Sequence, residues 1–168
     1  MSKSIYECRW NVWHKRAGKV IWELLDKKNL LVDEGEKALV DTFFRDRGTV
    51  YFPVTNFYLG LYSGTVAEAT VLATIPGEPP ILYGYSRTLV ERSTIGWPTI
   101  EKHDGDWRVV SKEIDITAVG GNIGPVNGSF LGTSLDNAGF LIGSLAWPVE
   151  RTVIAGDTIT LQMKAKLK

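Results

Sequence analysis

Along residues 5–16 the apolar positions fall on every second residue, with Tyr6, Cys8, Trp10 and Val12 on one side and Glu7, Arg9, Asn11 and Lys15 on the other. That period of two predicts a half-buried strand. Arg16, Ala17 and Gly18 break it, and 19–25 resumes with Val20, Trp22 and Leu24 alternating against Ile21, Glu23 and Leu25. Both sides of this second stretch are apolar enough to predict a strand covered on both faces, completing a hairpin. The period then changes. In 29–48, Leu39, Val40, Phe43 and Phe44 recur one helical turn apart with Lys37, Asp41 and Arg45 outside the stripe, predicting an amphipathic helix over about 33–47. Asp33 and Glu36 form a carboxylate variant of the capping box at its start, and Gly48 supplies its stop. A helix of that length needs a surface on which to bury its stripe, so it must lie on a sheet.

Beyond the helix the pattern is extended chain and turns. Residues 51–62 are dense in aromatic and β-branched side chains, predicting an interior strand entered at Pro53. Residues 63–80 are small and turn-rich, closed by Pro76, Gly77, Pro79 and Pro80, and predict a loop with at most a short helical turn, long enough to be a contact segment. Residues 81–92 predict a strand with Leu82, Tyr85 and Leu89 in the core and Gly84 as a bulge. Asp104-Gly105 predicts a tight hairpin between 99–103 and 106–110, the returning strand running on to Thr117 with Val110, Ile114 and Ile116 on one face. Residues 118–129 are glycine-rich and carry a second turn signal at Asn127-Gly128. Two short strands around 130–131 and 140–142 follow, then a turn at Ala155-Gly156-Asp157.

The last stretch alternates without a fault, Ile159, Leu161, Met163, Ala165 and Leu167 against Thr158, Thr160, Gln162, Lys164, Lys166 and Lys168. It predicts a strand with one wet face, its outward lysines discouraging edge pairing. About eight strands and one helix predict a mainly β fold, an antiparallel β-sandwich or a jelly-roll-like barrel with the helix packed on it. An N-terminal hairpin or arm at 1–28 would precede a body at 29–168.

Composition narrows the function classes more than the fold. With 168 residues, 44% of them hydrophobic, the chain can fill one proper core. Nineteen basic and nineteen acidic residues give zero formal charge, which argues against a nucleic-acid tract or a surface for anionic membranes and tolerates self-association. A single cysteine, Cys8, excludes an internal disulfide and a thiol metal cluster. No apolar run reaches signal length or the roughly 20 residues of a membrane span, predicting a soluble protein that is not exported by the usual route.

Catalytic chemistry finds little purchase. His14 and His103 lack HxH, HExxH or CxxC neighbours, and His103 beside the Asp104-Gly105 turn reads as an exposed turn residue. Glu23 with Asp26 and Glu113 with Asp115 are carboxylate pairs of uninformative spacing, the latter an ordinary solvated strand face. Ser129 and Ser144 follow glycines outside any GxSxG, and the glycines around Gly120 lack the partners of a phosphate loop. Asn127-Gly128-Ser129 matches a glycosylation acceptor by chance in a chain without a secretory signal. No catalytic, cofactor or metal residue is assigned. The tryptophans Trp10, Trp13, Trp22, Trp97, Trp107 and Trp147 admit a sugar-stacking platform. Packing is the stronger reading, because Trp10 and Trp22 sit on inward patterns and Trp97 and Trp147 each precede a proline. Trp13, on the polar side of the first strand, is either a scattered surface aromatic or part of a subunit contact.

The order of segments carries a resemblance. NLLVDEGEKALVDTFF, then FYLGLYSG, a loop of small residues and prolines, YGYSRTLVERS and GW are followed by AVGGNIGPVNGSFLGTS, NAGFLIGSLAW and RTVIAGDTITLQMKAKLK. Over 29–168 the chain resembles small β-rich virion structural proteins of tailed bacteriophages. The resemblance implies a non-enzymatic building block, a capsid decoration, neck or tail component, assembled in the bacterial host cytoplasm and resident in the virion. Its partners would be copies of itself, as a trimer or higher ring, and neighbouring major capsid or tail and neck subunits, with no direct nucleic acid, no membrane and no cofactor. Trp13 and the loop residues Thr65, Val66, Val71, Ile75 and Pro79 are the expected contact residues. The alternative is a carbohydrate-binding module of a phage receptor-recognition apparatus.

Overall fold

The computed structural model describes residues 6–44 and 56–167. The element order is β1 (Tyr6–Arg16), β2 (Lys19–Lys28), β3 (Leu30–Leu31), α1 (Asp33–Phe44), β4 (Asn56–Tyr62), a 3-10 turn (Leu72–Thr74), β5 (Thr88–Glu91), β6 (Thr99–His103), β7 (Asp106–Val110), β8 (Ile114–Thr117), β9 (Ile123–Gly132), β10 (Leu141–Val153) and β11 (Thr158–Leu167). One sheet, A, runs β2-β1-β11-β7-β6 with β8 also paired to β11, and the other, B, runs β3-β10-β9-β4-β5. Every pairing is antiparallel. Among the described residues the sheets do not close on each other, so the architecture is a sandwich and not a barrel.

Cross-strand register explains which side chains meet. Cys8, Trp10 and Val12 lie opposite Ala165, Met163 and Leu161, and this apolar face of sheet A packs on Leu59, Leu61, Leu131, Leu145 and Trp147 of sheet B. The alternation of β11 is therefore real, but its place is not at an edge. It lies at the centre of sheet A, flanked by β1 and by β7 and β8. The N-terminal hairpin is built into that sheet, β1 pairing with β11 from Tyr6–Leu167 to Lys15–Thr158.

Sheet B has a second apolar layer on its far side. Phe130 and Tyr62 lie across from glycines: a Cβ at Gly60 would sit 2.4 Å from the Phe130 ring, and one at Gly128 2.2 Å from the Tyr62 ring. Around them Val32, Leu72 and Leu141 are buried, with Leu30, Val66 and Ile75 packed on the cluster. Asn127-Gly128 is accordingly inside β9 and not a turn. Gly128 is there because the tyrosine ring occupies the space of a side chain, which overrides the local turn preference.

The helix sits against β10 as closely as a helix can. A Cβ on Gly35 would lie 2.1 Å from the Ile142 carbonyl oxygen. The cap is shifted by one residue from the expectation: the Val32 carbonyl accepts from Glu36 N–H at 2.9 Å, and Asp33 N–H donates to Glu68 O at 2.9 Å. The expected stop at Gly48, the strand entry at Pro53 and the side chains of Leu39, Val40, Phe43 and Phe44 lie outside the described residues.

Several polarity patterns misplace individual residues. Val20, Ile21 and Leu25 are exposed because β2 is an edge strand, with register shifts against β1. Glu7 and Asn11, on the expected wet face of β1, are buried. Leu82 and Leu89 are exposed and only Tyr85 is buried, since the strand is confined to Thr88–Glu91 and 81–85 turns back on itself with Tyr83 at φ 54° and Gly84 at φ 84°. The break at 111–113 inserts one residue relative to β11. Val110 consequently shares a face with Lys164, while Ile114 and Ile116 face Leu161 and Ile159.

Candidate interaction surfaces

The loop expected to make subunit contacts is largely a cover for sheet B. Val66 and Ile75 pack inward on the second apolar cluster, Val71 and Pro79 are half-buried, and Thr65 is exposed. The loop is tied down at both ends: Gly64 N–H donates to Asn127 Oδ1 at 2.9 Å and Ser63 N–H to Gly77 O at 3.0 Å. Its middle is held by Glu34, whose Oε2 accepts from Leu72 N–H at 3.0 Å and Leu141 N–H at 2.5 Å. Beneath its end, the buried Arg87 donates to Glu78 and to the carbonyls of Ser134 and Asp136, and stacks over Phe130 at 5.2 Å. The Tyr85 hydroxyl donates to Glu78 Oε1 at 2.9 Å and accepts from Leu61 N–H at 3.1 Å; burial, then the Glu78 charge, push its ionisation up. Tyr85 is buried as its strand pattern predicts, whereas Glu78 and Arg87 have no signature in sequence beyond their polar identity. Their pairing is set by the fold of the loop.

At one end of the sandwich two uncharged loops form an apolar tip. Ile81 is 80% exposed and Val119 64%, with Leu82 and Tyr83 exposed between them. The loops are joined, Val119 N–H donating to Tyr83 O at 2.8 Å, and Tyr83 lies against Gly121, where a Cβ would come 2.4 Å from its ring. Tyr83 holds φ 54°, a left-handed conformation that costs an L-residue about 1–2 kcal/mol. The surrounding contacts over-determine that geometry, as happens where a surface is preorganised. A second apolar area is Ile100 and Trp107 on the β6–β7 hairpin, whose Asp104-Gly105 turn holds both residues at positive φ as expected.

Under the apolar tip, β1, β10 and the turn before β11 converge on a buried polar network. His14 Nδ1 accepts from Arg151 Nε at 3.2 Å, so Nε2 carries the proton and donates to Asp157 Oδ2 at 2.9 Å. Arg16 Nε and Nη2 donate to the two Asp157 oxygens at 2.9 Å each. Burial lowers the His14 pKa, the Asp157 hydrogen bond opposing it and Arg151 adding to it. The hydrogen bond from Arg16 holds Asp157 below the usual carboxylate range against its desolvation. Arg151 also lies over the Trp22 ring, 5.3 Å from its centroid, and Trp22 packs on Trp147 at 5.5 Å. With both ring nitrogens engaged and charged neighbours saturated, the histidine ties sheet A to sheet B and has no exposed base to offer a substrate.

The outer face of sheet A carries a cleft of about 290 Å³ lined by Glu7, Arg9, Asp26, Arg108, Lys164 and Lys166, with the β6–β7 turn at its rim. Trp13 lies elsewhere on this face, half-buried and opposite Thr160 and Glu23. Of the other tryptophans, Trp10 and Trp147 are buried, Trp22 and Trp97 pack on the core, and Trp107 is exposed. Among the described residues no group of three or more His, Cys, Asp and Glu is arranged to hold a metal ion, and no helix is long and apolar enough to cross a membrane. No protein-family model matches this chain, and a search of curated proteins finds no match.

Proposed function

We propose that this chain is a non-enzymatic structural protein of a tailed-phage virion, associating with copies of itself and with neighbouring capsid or tail subunits. The observation that carries the reading is the apolar tip of Ile81, Leu82, Tyr83 and Val119, held in a strained and fixed conformation. A contiguous exposed apolar patch rimmed by polar residues is what protein–protein contact sites use, and rigidity lowers the ordering cost of contact. The buried charge clusters support the same reading, since Arg87, His14 and Asp157 are spent on holding loops and sheets together. The contact surface is thereby moved from the 63–80 loop, where Val66 and Ile75 face the core, to the 81–84 and 118–121 loops. A sugar-binding reading would rest on Trp107, the tryptophan that is well exposed.

Light scattering across a concentration series tests the proposal, together with incorporation into particles. The expected result is a trimer or larger ring for the native chain, and loss of association and of particle incorporation for Ile81→Asp and Val119→Asp with unchanged circular dichroism. A native chain that stays monomeric and is not retained on particles would sink it.

A further inference from the structure

The outer face of sheet A breaks a pairing rule. Cross-strand register places Lys28 opposite Arg9 and Arg9 opposite Lys164, while in the next row Lys166 and Arg108 face each other between Glu7 on one side and Glu101 on the other. Like charges directly opposite each other destabilise a sheet, and a local conflict that the fold does not require marks a place kept for another purpose. Arg108 is held by Glu101, its Nε donating to Oε1 at 2.6 Å, and the carboxylates facing the other cations are of two kinds. Glu7 is buried and held by Arg9 Nε at 2.5 Å, so it belongs to the floor. Asp26 and Asp106 are half-exposed, and their contacts with Lys164 and Lys166 are long, 3.4 and 3.3 Å. Exposed pairs of this kind contribute at most about 1 kcal/mol and yield readily to a better acceptor. The lysine stems are nevertheless largely buried, with side chains 17% and 18% exposed, so the ammonium groups are held in place over the cleft.

Asp26 is positioned on purpose-built backbone. It sits at φ 51° in the irregular β1–β2 register, its N–H donating to Asn11 Oδ1 at 2.9 Å and its own oxygens accepting from Arg9 Nη1. Burial raises its pKa, and Arg9 and Lys164 more than offset that. A carboxylate is thus already seated among these cations, and it shows what the cleft accepts.

We propose that this cleft is a binding site for a small oxyanion-bearing ligand, a carboxylated, sulfated or phosphorylated sugar, whose anionic group bridges Lys164 and Lys166 beside Arg9, with Arg108 remaining paired to Glu101 at the rim. Alternate residues of a strand share a face and stand roughly 7 Å apart, a span that one oxyanion bridges between two ammonium groups inclined toward it. The cleft is near the lower end of the roughly 300–1,000 Å³ of ligand pockets, which suits about one sugar unit. Its polar lining would meet hydroxyls as well as charge.

Calorimetric titration of the full chain with glucuronate, glucose 6-sulfate, inorganic phosphate and neutral glucose tests this. Saturable binding of at least one oxyanion, absent with glucose, is expected. Preference for the sugar acids identifies a saccharide source, and phosphate alone identifies a free-anion site. Lys166→Gln should weaken binding roughly tenfold, the loss of one charge-assisted hydrogen bond. Asp26→Asn should strengthen it several-fold, because the resident carboxylate charge is removed while asparagine tolerates the left-handed backbone. No saturable binding to any oxyanion, equal binding of glucose, or indifference to both substitutions would overturn the proposal.

Discussion

Arg87 grips Glu78 with both arms of its guanidinium, Nε to Oε1 at 2.8 Å and Nη2 to Oε2 at 2.6 Å. The Arg87 side chain is 4% exposed, so removing its partner leaves a buried charge without a counter-ion. Glu78→Ala should therefore destabilise the fold by about 3 kcal/mol, in the range for breaking a buried pair. Replacing both partners together, Glu78→Leu with Arg87→Met, leaves neither charge unpaired and should cost less than the sum of the two single changes. Urea unfolding of the single and double variants checks this, and strictly additive losses would refute this account of the loop anchor.

The histidine between the sheets makes stability depend on pH with a definite sign. The pKa of His14 is lowered in the folded protein from the ordinary 6.5, so the unfolded chain takes up the proton first. Stability from this group is complete above about pH 6.5 and declines as pH falls through the lower folded value. Protonation puts a cation at Nδ1 against Arg151 and ends that hydrogen bond. Asp157, whose folded pKa is lowered from 3.8, adds a second loss at still lower pH, as its carboxylate is neutralised. Urea midpoints measured from pH 8 down to 3 should show both steps, and His14→Gln should flatten the first and leave the second.

Gly35→Ala sets two effects against each other. In an open helix the change gains about 1 kcal/mol of propensity. Here the new methyl would lie 2.1 Å from the Ile142 carbonyl oxygen, and the helix must move off β10. Overpacking typically costs 1–3 kcal/mol, and loss of the close approach also strains the Glu34 bonds to Leu72 and Leu141. Net destabilisation by thermal melting is the expected outcome; a raised melting temperature would mean that the helix is not seated as described.

The β1–β2 turn offers a stabilising change. Ala17 holds φ 48° beside Gly18 at φ 75°, so alanine occupies a left-handed position that asparagine or glycine prefers. Ala17→Asn should raise stability by about 1 kcal/mol. Ala17 is itself exposed, so the larger side chain meets solvent.

What was legible in the chain is what depends on local rules. The Asp104-Gly105 hairpin and the faultless alternation of β11 are both present, because turn geometry and strand period act between near neighbours. Placement within the sheet is a long-range property. The lysines at 164 and 166 look like edge guards in sequence, yet they stand over a cleft at the centre of sheet A. Val66 and Ile75 look like free apolar loop residues, and their burial depends on Phe130 and Tyr62 filling the far side of sheet B. Even the glycine at 128 signals a turn when read alone and an aromatic neighbour when read in register. The His14, Arg16, Arg151 and Asp157 network was not legible, since its members are separated by up to 143 positions and share no motif.

Among the described residues the borders of both sheets share one property. β3 has two residues, β5 four and β6 five, while the ten-residue β2 is interrupted by register shifts and carries Lys19, Glu23, Lys27 and Lys28. None offers a straight run of unpaired amides for a foreign strand to copy. Among the described residues, backbone templating, a route to open-ended fibres, therefore finds no ready edge. At these borders any contact with a neighbour falls to side chains and not to the backbone.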